Sequence, residues 1–312
     1  MDFKHIPVMQ EKVLENLNLE PGNIVVDCTI GGAGHSLKII EKILPNGLLI
    51  GIDRDKDAIE YSQKALCNFK NNIQLLHNDF SKIANILESM KLTKVNSILF
   101  DLGFSQNQLE NSKRGFSFKK KEPLDMRMNI QDKVKAFDII NFFCENKLIN
   151  IFFKLGEERF SKKIAKKIVA QRKLKTIDTS DELAKLVIET IPDKNINSQR
   201  IHPATRIFQA LRIAVNKELE QLEKVLAIIP SLLFQKGRVG IISFHSLEDR
   251  IVKNALREFE KDCICPPKFP VCTCKNKASM KSVFKQPVLP DIKEIKINPM
   301  SRSAKLRVAQ KV

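Results

Sequence analysis

Four short apolar runs, separated by stretches with helical spacing, constrain this chain more than any other feature. They are residues 24–28 (IVVDC), 48–53 (LLIGID), 73–76 (IQLL) and 97–102 (SILFDL). None keeps a strict polar–apolar alternation, so each reads as a strand buried on both faces, the pattern of a parallel sheet. Between the first two lie a glycine cluster, a helical pattern over 36–44 and the turn Pro45-Asn46-Gly47. A second helical pattern runs to about Phe69. Strands alternating with helices predict a doubly wound α/β fold with right-handed crossovers.

From about Gln106 to Ala214 the strand signals vanish. Phe160, Ile164 and Ile168 recur every four residues and share one helix face, while Lys162, Lys163, Lys166, Lys167, Arg172 and Lys173 occupy much of the rest. Phe208, Leu211, Val215, Leu219, Leu222 and Leu226 predict one long amphipathic helix. Strand signals return at 238–244 and 305–309. The expected organisation is an α/β domain made of 1–105 and 215–312, with an all-helical domain, 106–214, inserted into it. Residues 261–290, rich in Pro, Cys and Lys, are expected to form an irregular surface loop.

The strongest chemical signal is the pair of stretches VVDCTIGGAGHS and LLIGIDRD. Gly31, Gly32 and Gly34 sit where a strand turns into a helix, and glycine there permits positive φ and close approach of a ligand to the backbone. Asp53 ends the next strand, nineteen positions after Gly34. That geometry sets a carboxylate against the ribose hydroxyls of a nucleoside cofactor. Leu37 stands where the last glycine of G-x-G-x-x-G belongs, which argues against a dinucleotide and against a dehydrogenase. Asp79-Phe80 and Asp101 follow the third and fourth strands, at the carboxyl edge where ligands bind. Phe80 either packs on a purine or anchors the core. Asp101 is read as the catalytic group: accepting a hydrogen bond from the N–H of an exocyclic amine, it would raise electron density on a poorly nucleophilic nitrogen. Its bland alternative is a cap or a cofactor contact.

Lys and Arg number 53 against 36 Asp and Glu, a net charge of +17, which fits a polyanionic partner. No stretch has the length of a membrane span or the pattern of a signal peptide, so a soluble, cytoplasmic protein with no membrane partner is expected. The segment from Arg114 through Phe116 and Phe118 to Lys119, Lys120 and Lys121 reads either as an RNA grip or as a loop anchored by buried rings. Thr205 and Arg206, at the start of a helix, read as a phosphate site or as ordinary capping. Ser243, His245, Ser246, Glu248 and Asp249 lack the G-x-S-x-G of a nucleophile elbow, so Ser246 is expected to cap a helix, with a substrate contact from His245 left open. Cys263, Cys265, Cys272 and Cys274 form C-x-C-x6-C-x-C. That is not the usual C-x2-C of zinc sites, so thiols without metal are the expectation.

Taken in order, HIPVM, DCTIGGAGHS, GIDRD, FDLGFS, RGFSF, PLDMRM, GEERFSKKIA, HPATRIFQALRIAVN and ISFHSLEDRIVK resemble the bacterial ribosomal RNA small-subunit methyltransferase H (MraW) family over nearly the whole chain. The resemblance implies S-adenosylmethionine as cofactor and N(4)-methylation of a cytidine in the decoding region of 16S ribosomal RNA. It further implies a Rossmann-like methyltransferase domain, an inserted helical domain that would bind RNA, and 16S RNA or the small ribosomal subunit as partner. It carries over Gly32, Ala33, Gly34 and His35 to the methionine part and neighbouring ribose, Asp53 to the ribose hydroxyls, Phe80 to the adenine, and Asp101 and Gln108 to the remainder of the pocket. The family's Ser-Ser-Pro-Gln reads Ser105-Gln106-Asn107-Gln108 here, without the proline. A non-catalytic RNA-binding assembly factor with a vestigial cofactor fold is the alternative, and a homodimer is left open.

Overall fold

The computed structural model describes residues 7–192, 201–266 and 271–312. His5 and Ile6 of the first family stretch, and 267–270 of the Cys-rich segment, lie outside the described residues. Contacts divide the chain into two units, Met1–Gly103 with Leu219–Val312, and Phe104–Glu218.

The first unit is built on a seven-stranded sheet in the order β3-β2-β1-β4-β5-β7-β6. Strands β1 (Ile24–Asp27), β2 (Leu48–Asp53), β3 (Ile73–His77), β4 (Val95–Asp101) and β5 (Leu233–Ser243) run parallel, and β7 (Lys305–Lys311) pairs antiparallel with β5 and with β6 (Met280–Ser282). Side chains alternate across the strands. Val25, Leu49 and Leu99 pack under α1 (Gln10–Asn16), α2 (Gly34–Ile43) and α3 (Lys56–Ala65), through Val13, Ile39, Ile40, Ile43 and Ile59. Val26, Ile50, Ile98 and Phe100 face the other way, against α4 (Ile83–Ser89), α11 (Glu218–Leu232) and α12 (Ser246–Phe259). Both faces are thus covered, which is why the strands read as continuous apolar runs. This is a Rossmann-like, doubly wound α/β unit. The chain order reverses between β1 and β4, and the carboxyl ends of those strands open onto the crevice where such folds bind ligands.

Two strands differ from the sequence reading. β5 starts at Leu233 rather than Arg238: Val95 pairs with Leu233 and the next partners are Ser97 and Arg238, so 234–237 loop out of the ladder. β6 lies inside the segment expected to be wholly irregular. It is three residues long and held by β7 rather than by its own propensity.

The second unit is helical: α5 (Gln106–Glu110), α6 (Ala136–Phe142), α7 (Glu145–Gly156), α8 (Ser161–Arg172), α9 (Ser180–Thr190) and α10 (Thr205–Asn216). Its own core includes Leu148, Phe152, Ile164, Ile168, Ile207 and Leu211. The long helix expected from Phe208 to Leu226 is two helices. Lys217 adopts the left-handed conformation (φ 51°) and ends α10. Asn216, fully buried, explains the break. Its Oδ1 accepts from the Met128 amide at 2.8 Å, and its Nδ2 donates to the carbonyls of Met126 (2.8 Å) and Arg212 (2.9 Å). Asn216→Ala leaves an amide and a carbonyl of the 126–128 segment buried without a partner. Urea unfolding is expected to show a loss of about 2–4 kcal/mol, and a loss below about 1 kcal/mol would contradict this role for the side chain.

Candidate active site

Three carboxylates end adjacent parallel strands of the first unit: Asp27 on β1, Asp53 on β2 and Asp101 on β4. The chain leaving β1 turns sharply, with Gly31 at φ 49° and Ala33 at φ 59°, before α2 begins. The turn is fixed from two sides. Gly31 N–H donates to Asp53 Oδ2 at 2.9 Å, and the Ser62 hydroxyl donates to the Gly31 carbonyl at 3.0 Å. Asp53 Oδ1 accepts from the Asp55 amide at 2.9 Å. Burial pushes the Asp53 carboxyl up to about 6, against the pull of these two amides. Gly34 has a further cause: a Cβ there would lie 2.3 Å from Pro7 Cγ, so packing of the N-terminal segment demands glycine as well. Gly34→Ala is therefore expected to destabilise the first unit by about 1–3 kcal/mol, read as an earlier urea midpoint; an unchanged midpoint would remove the Pro7 contact as the reason for glycine.

Asp27 carries weight that the sequence reading missed. It is buried, accepts from Ser36 Oγ (2.7 Å) and the Thr29 amide (3.1 Å), and ties the start of α2 to the end of β1. Burial raises its carboxyl above the usual range despite those bonds. A carboxylate closing a β-branched run was the available signal, but sequence alone does not separate an anchor of the turn from a ligand contact.

His35, in the first turn of α2, is 5% exposed, and its Nε2 lies 3.6 Å from Asp101 Oδ2. That is beyond hydrogen-bond range. Both ring nitrogens of His35 and Oδ1 of Asp101 are buried without a hydrogen-bond partner among the described residues. Buried polar atoms are nearly always satisfied, so an acceptor carboxylate and an imidazole with open valences, side by side at the strand-order switch, suit a polar ligand. The Asp101 backbone is held by its own N–H to Thr29 Oγ1 at 2.7 Å. At the far side, Asp79 takes Arg54 Nε at 3.1 Å and the Ser81 amide at 2.8 Å. Phe80 is buried and packs edge-on to Phe100, with centroids 5.6 Å apart, so it is an apolar wall with most of its ring in the core.

The family model described as the MraW methylase family matches residues 2–312. The chain belongs to the MraW methylase family. Among curated MraW relatives, a ribosomal RNA small subunit methyltransferase H of Desulforapulum autotrophicum is 50% identical over 312 residues, covering all of both chains. One from Clostridioides difficile is 43% identical over 315 residues, again covering all of both.

Other residues singled out in this MraW sequence have structural duties. Gln108 lies in the second unit, buried, where its side chain accepts from the Ser105 amide (3.1 Å) and its amide donates to Ser105 Oγ (3.2 Å). This capping box orders the turn in which Asn107 replaces proline. Arg114 is buried and donates to the carbonyls of Arg127 (3.0 Å) and Met128 (2.9 Å), while Phe116 is core and Phe118 stacks on His202 at 4.3 Å. The RNA-grip reading of these three is therefore corrected to a structural one; Lys119, Lys120 and Lys121 remain exposed. Arg172 likewise caps the carbonyls of Ile140 and Phe143. Arg206 faces buried Glu158 at 3.9 Å. The cap of α12 is His245 rather than Ser246: its Nδ1 accepts from the Glu248 amide at 3.4 Å, and Glu248 Oε2 accepts from the Phe244 amide at 2.9 Å. Asp249 ties α12 to β7 through Arg307 (2.7 Å) and Lys305 (3.0 Å). Burial raises its carboxyl, but those two donors outweigh burial and hold it below the usual range. Among the described residues, no helix is long and apolar enough to cross a membrane.

Proposed function

We propose that this chain transfers a methyl group from S-adenosylmethionine to the exocyclic N4 amine of a cytidine in the decoding region of 16S ribosomal RNA. The observation that carries this reading is the approach of His35 Nε2 to Asp101 Oδ2 (3.6 Å), with both ring nitrogens and Asp101 Oδ1 lacking a hydrogen-bond partner among the described residues, two strands from Asp53, in a chain of the MraW methylase family. The names of its relatives support ribosomal RNA as the acceptor, and a net charge of +17 supports a polyanionic substrate.

The donor set fits the cofactor. Asp53 would hold the ribose hydroxyls, the backbone of Gly32, Ala33 and Gly34 would line the methionine part, and Phe80 would give the adenine an apolar wall. His35 and Asp101 offer polar atoms that lack a hydrogen-bond partner among the described residues. When bound, S-adenosylmethionine supplies an electrophilic methyl on sulfur. Asp101 would accept a hydrogen bond from the amine N–H, turn the amine lone pair toward that methyl and receive the proton as the N–C bond forms and the S–C bond breaks, its electron pair returning to sulfur to leave S-adenosylhomocysteine. Lys162, Lys163, Lys166 and Lys167, exposed along α8, would hold phosphates of the RNA.

Incubating the protein with small ribosomal subunits and a methyl-labelled donor is expected to put label into 16S RNA. Tight RNA binding with no label incorporated would instead favour a non-catalytic assembly factor.

A further inference from the structure

Four cysteines that take no part in this chemistry meet at one point. Cys263 and Cys265 follow the end of α12, and Cys272 and Cys274 precede β6. All four Sγ atoms lie within 4.8 Å of one another. The Sγ separations are 3.4 Å for Cys263–Cys272, 3.6 Å for Cys272–Cys274 and 3.8 Å for Cys263–Cys274. A disulfide would need about 2.05 Å. Four thiolates at about 2.3 Å from one tetrahedral zinc ion stand about 3.8 Å apart, the edge of that tetrahedron.

The backbone is arranged for thiolates as well. Each C-x-C pair turns so that the amide two residues on points at the first or last sulfur: Cys265 N–H donates to Cys263 Sγ at 3.4 Å, and Asn276 N–H to Cys274 Sγ at 3.5 Å. Cys274 Sγ also accepts from the Ile264 amide at 3.4 Å, across the loop. Amide donors on sulfur are the outer layer that orients ligands around a metal.

Energetics point the same way. The neck of this loop is zipped by Ser279 N–H to the Phe259 carbonyl (2.8 Å) and Ala278 N–H to Asp262 Oδ1 (3.1 Å). Beyond the neck, its described large apolar side chains face solvent: Ile264 is 63% and Val271 69% exposed. A small lobe that does not bury such side chains keeps one shape only if something else staples it, and a structural metal is one such staple. The spacing is C-x-C, not C-x2-C, but the geometry shows that the shorter spacing still brings four sulfurs together.

We infer that Cys263, Cys265, Cys272 and Cys274 bind one zinc ion as a tetrathiolate site that folds the loop between α12 and β6. The site is structural, because all four positions of the tetrahedron are filled by protein. A polynuclear iron–sulfur cluster would set several irons between the thiolates and hold them further apart than they stand here.

Elemental analysis of the full-length protein, purified under reducing conditions without chelator, is expected to give one zinc per chain, released stoichiometrically by a mercurial thiol reagent. Metal-stripped reduced protein titrated with Co²⁺ should show thiolate-to-cobalt charge-transfer absorption that saturates at one equivalent. The Cys263→Ser/Cys274→Ser double variant should lose both signals while still binding S-adenosylhomocysteine. If that variant does not fold, mercurial release and cobalt titration of the unaltered protein still decide. A chain that takes up neither Zn²⁺ nor Co²⁺, an iron–sulfur chromophore, or a Cys–Cys disulfide in the reduced preparation would overturn the assignment. None of these readouts depends on methyl transfer, so the zinc site and the proposed reaction fail separately.

Discussion

Asp101→Ala is expected to slow methyl transfer by about 10²–10⁴-fold, the range for loss of a positioned proton acceptor, while RNA affinity stays within about threefold. Asp101 ends β4, held by its own amide on Thr29, and its Oδ1 has no hydrogen-bond partner among the described residues. A buried acceptor atom without a hydrogen bond costs stability unless a ligand completes it. The enzyme thus keeps an acceptor in place for a donor that arrives with the substrate. Alanine removes the acceptor without touching α8, where the exposed lysines stand. Single-turnover transfer at saturating cofactor and RNA, with RNA binding measured in parallel, separates the two effects. Equal losses of rate and RNA affinity would show that Asp101 holds RNA rather than serving the reacting amine.

Asp53→Ala is expected to weaken S-adenosylhomocysteine binding by roughly 100-fold or more. Hydrogen bonds to a charged acceptor contribute about 1.5–3 kcal/mol each, two ribose hydroxyls are available, and the Gly31 turn loses its anchor as well. Calorimetric titration measures the change, and a loss below about fivefold would contradict ribose recognition by this carboxylate. A pH dependence accompanies it. Burial holds Asp53 near 6, and the carboxylate is the form that accepts from both hydroxyls. Affinity should therefore fall as pH drops through about 6, and the Asp53→Asn variant should be flat there. Folding stability changes in the opposite sense. A carboxyl protonated more readily when folded than when unfolded favours the native state at low pH, and that contribution is lost as pH rises from the ordinary carboxylate range through about 6.

The sheet was legible because its strands are buried on both faces: 48–53 was read to the residue, and β1, β3 and β4 to within two residues at either end. What stayed hidden depends on partners distant in sequence. Nothing near Lys217 marks a helix break, since its cause is Asn216 bonding to 126–128. Arg114 reads as a phosphate ligand in sequence because an arginine that caps carbonyls and one that grips RNA share a signature; its burial and its bonds to the carbonyls of Arg127 and Met128 tell them apart. β6 is set by β7, not by its own residues. At the site, Asp53 and Asp101 were visible as acids closing strands, whereas the approach of His35 to Asp101 and the anchoring of the turn by Asp27 needed coordinates. The contact of Gly34 with Pro7, a second reason for glycine there, also needed coordinates.

In the proposed reaction Asp101 faces an amine of cytidine across from a sulfur-bound methyl. Nucleoside analysis of 16S RNA, taken from unmodified small subunits after incubation with the protein and S-adenosylmethionine, tests this most directly. One N4-methylcytidine per subunit is predicted with the unaltered chain, and almost none with Asp101→Ala in the same time. A methyl group on a ring carbon, on a ribose or on another base would contradict the account.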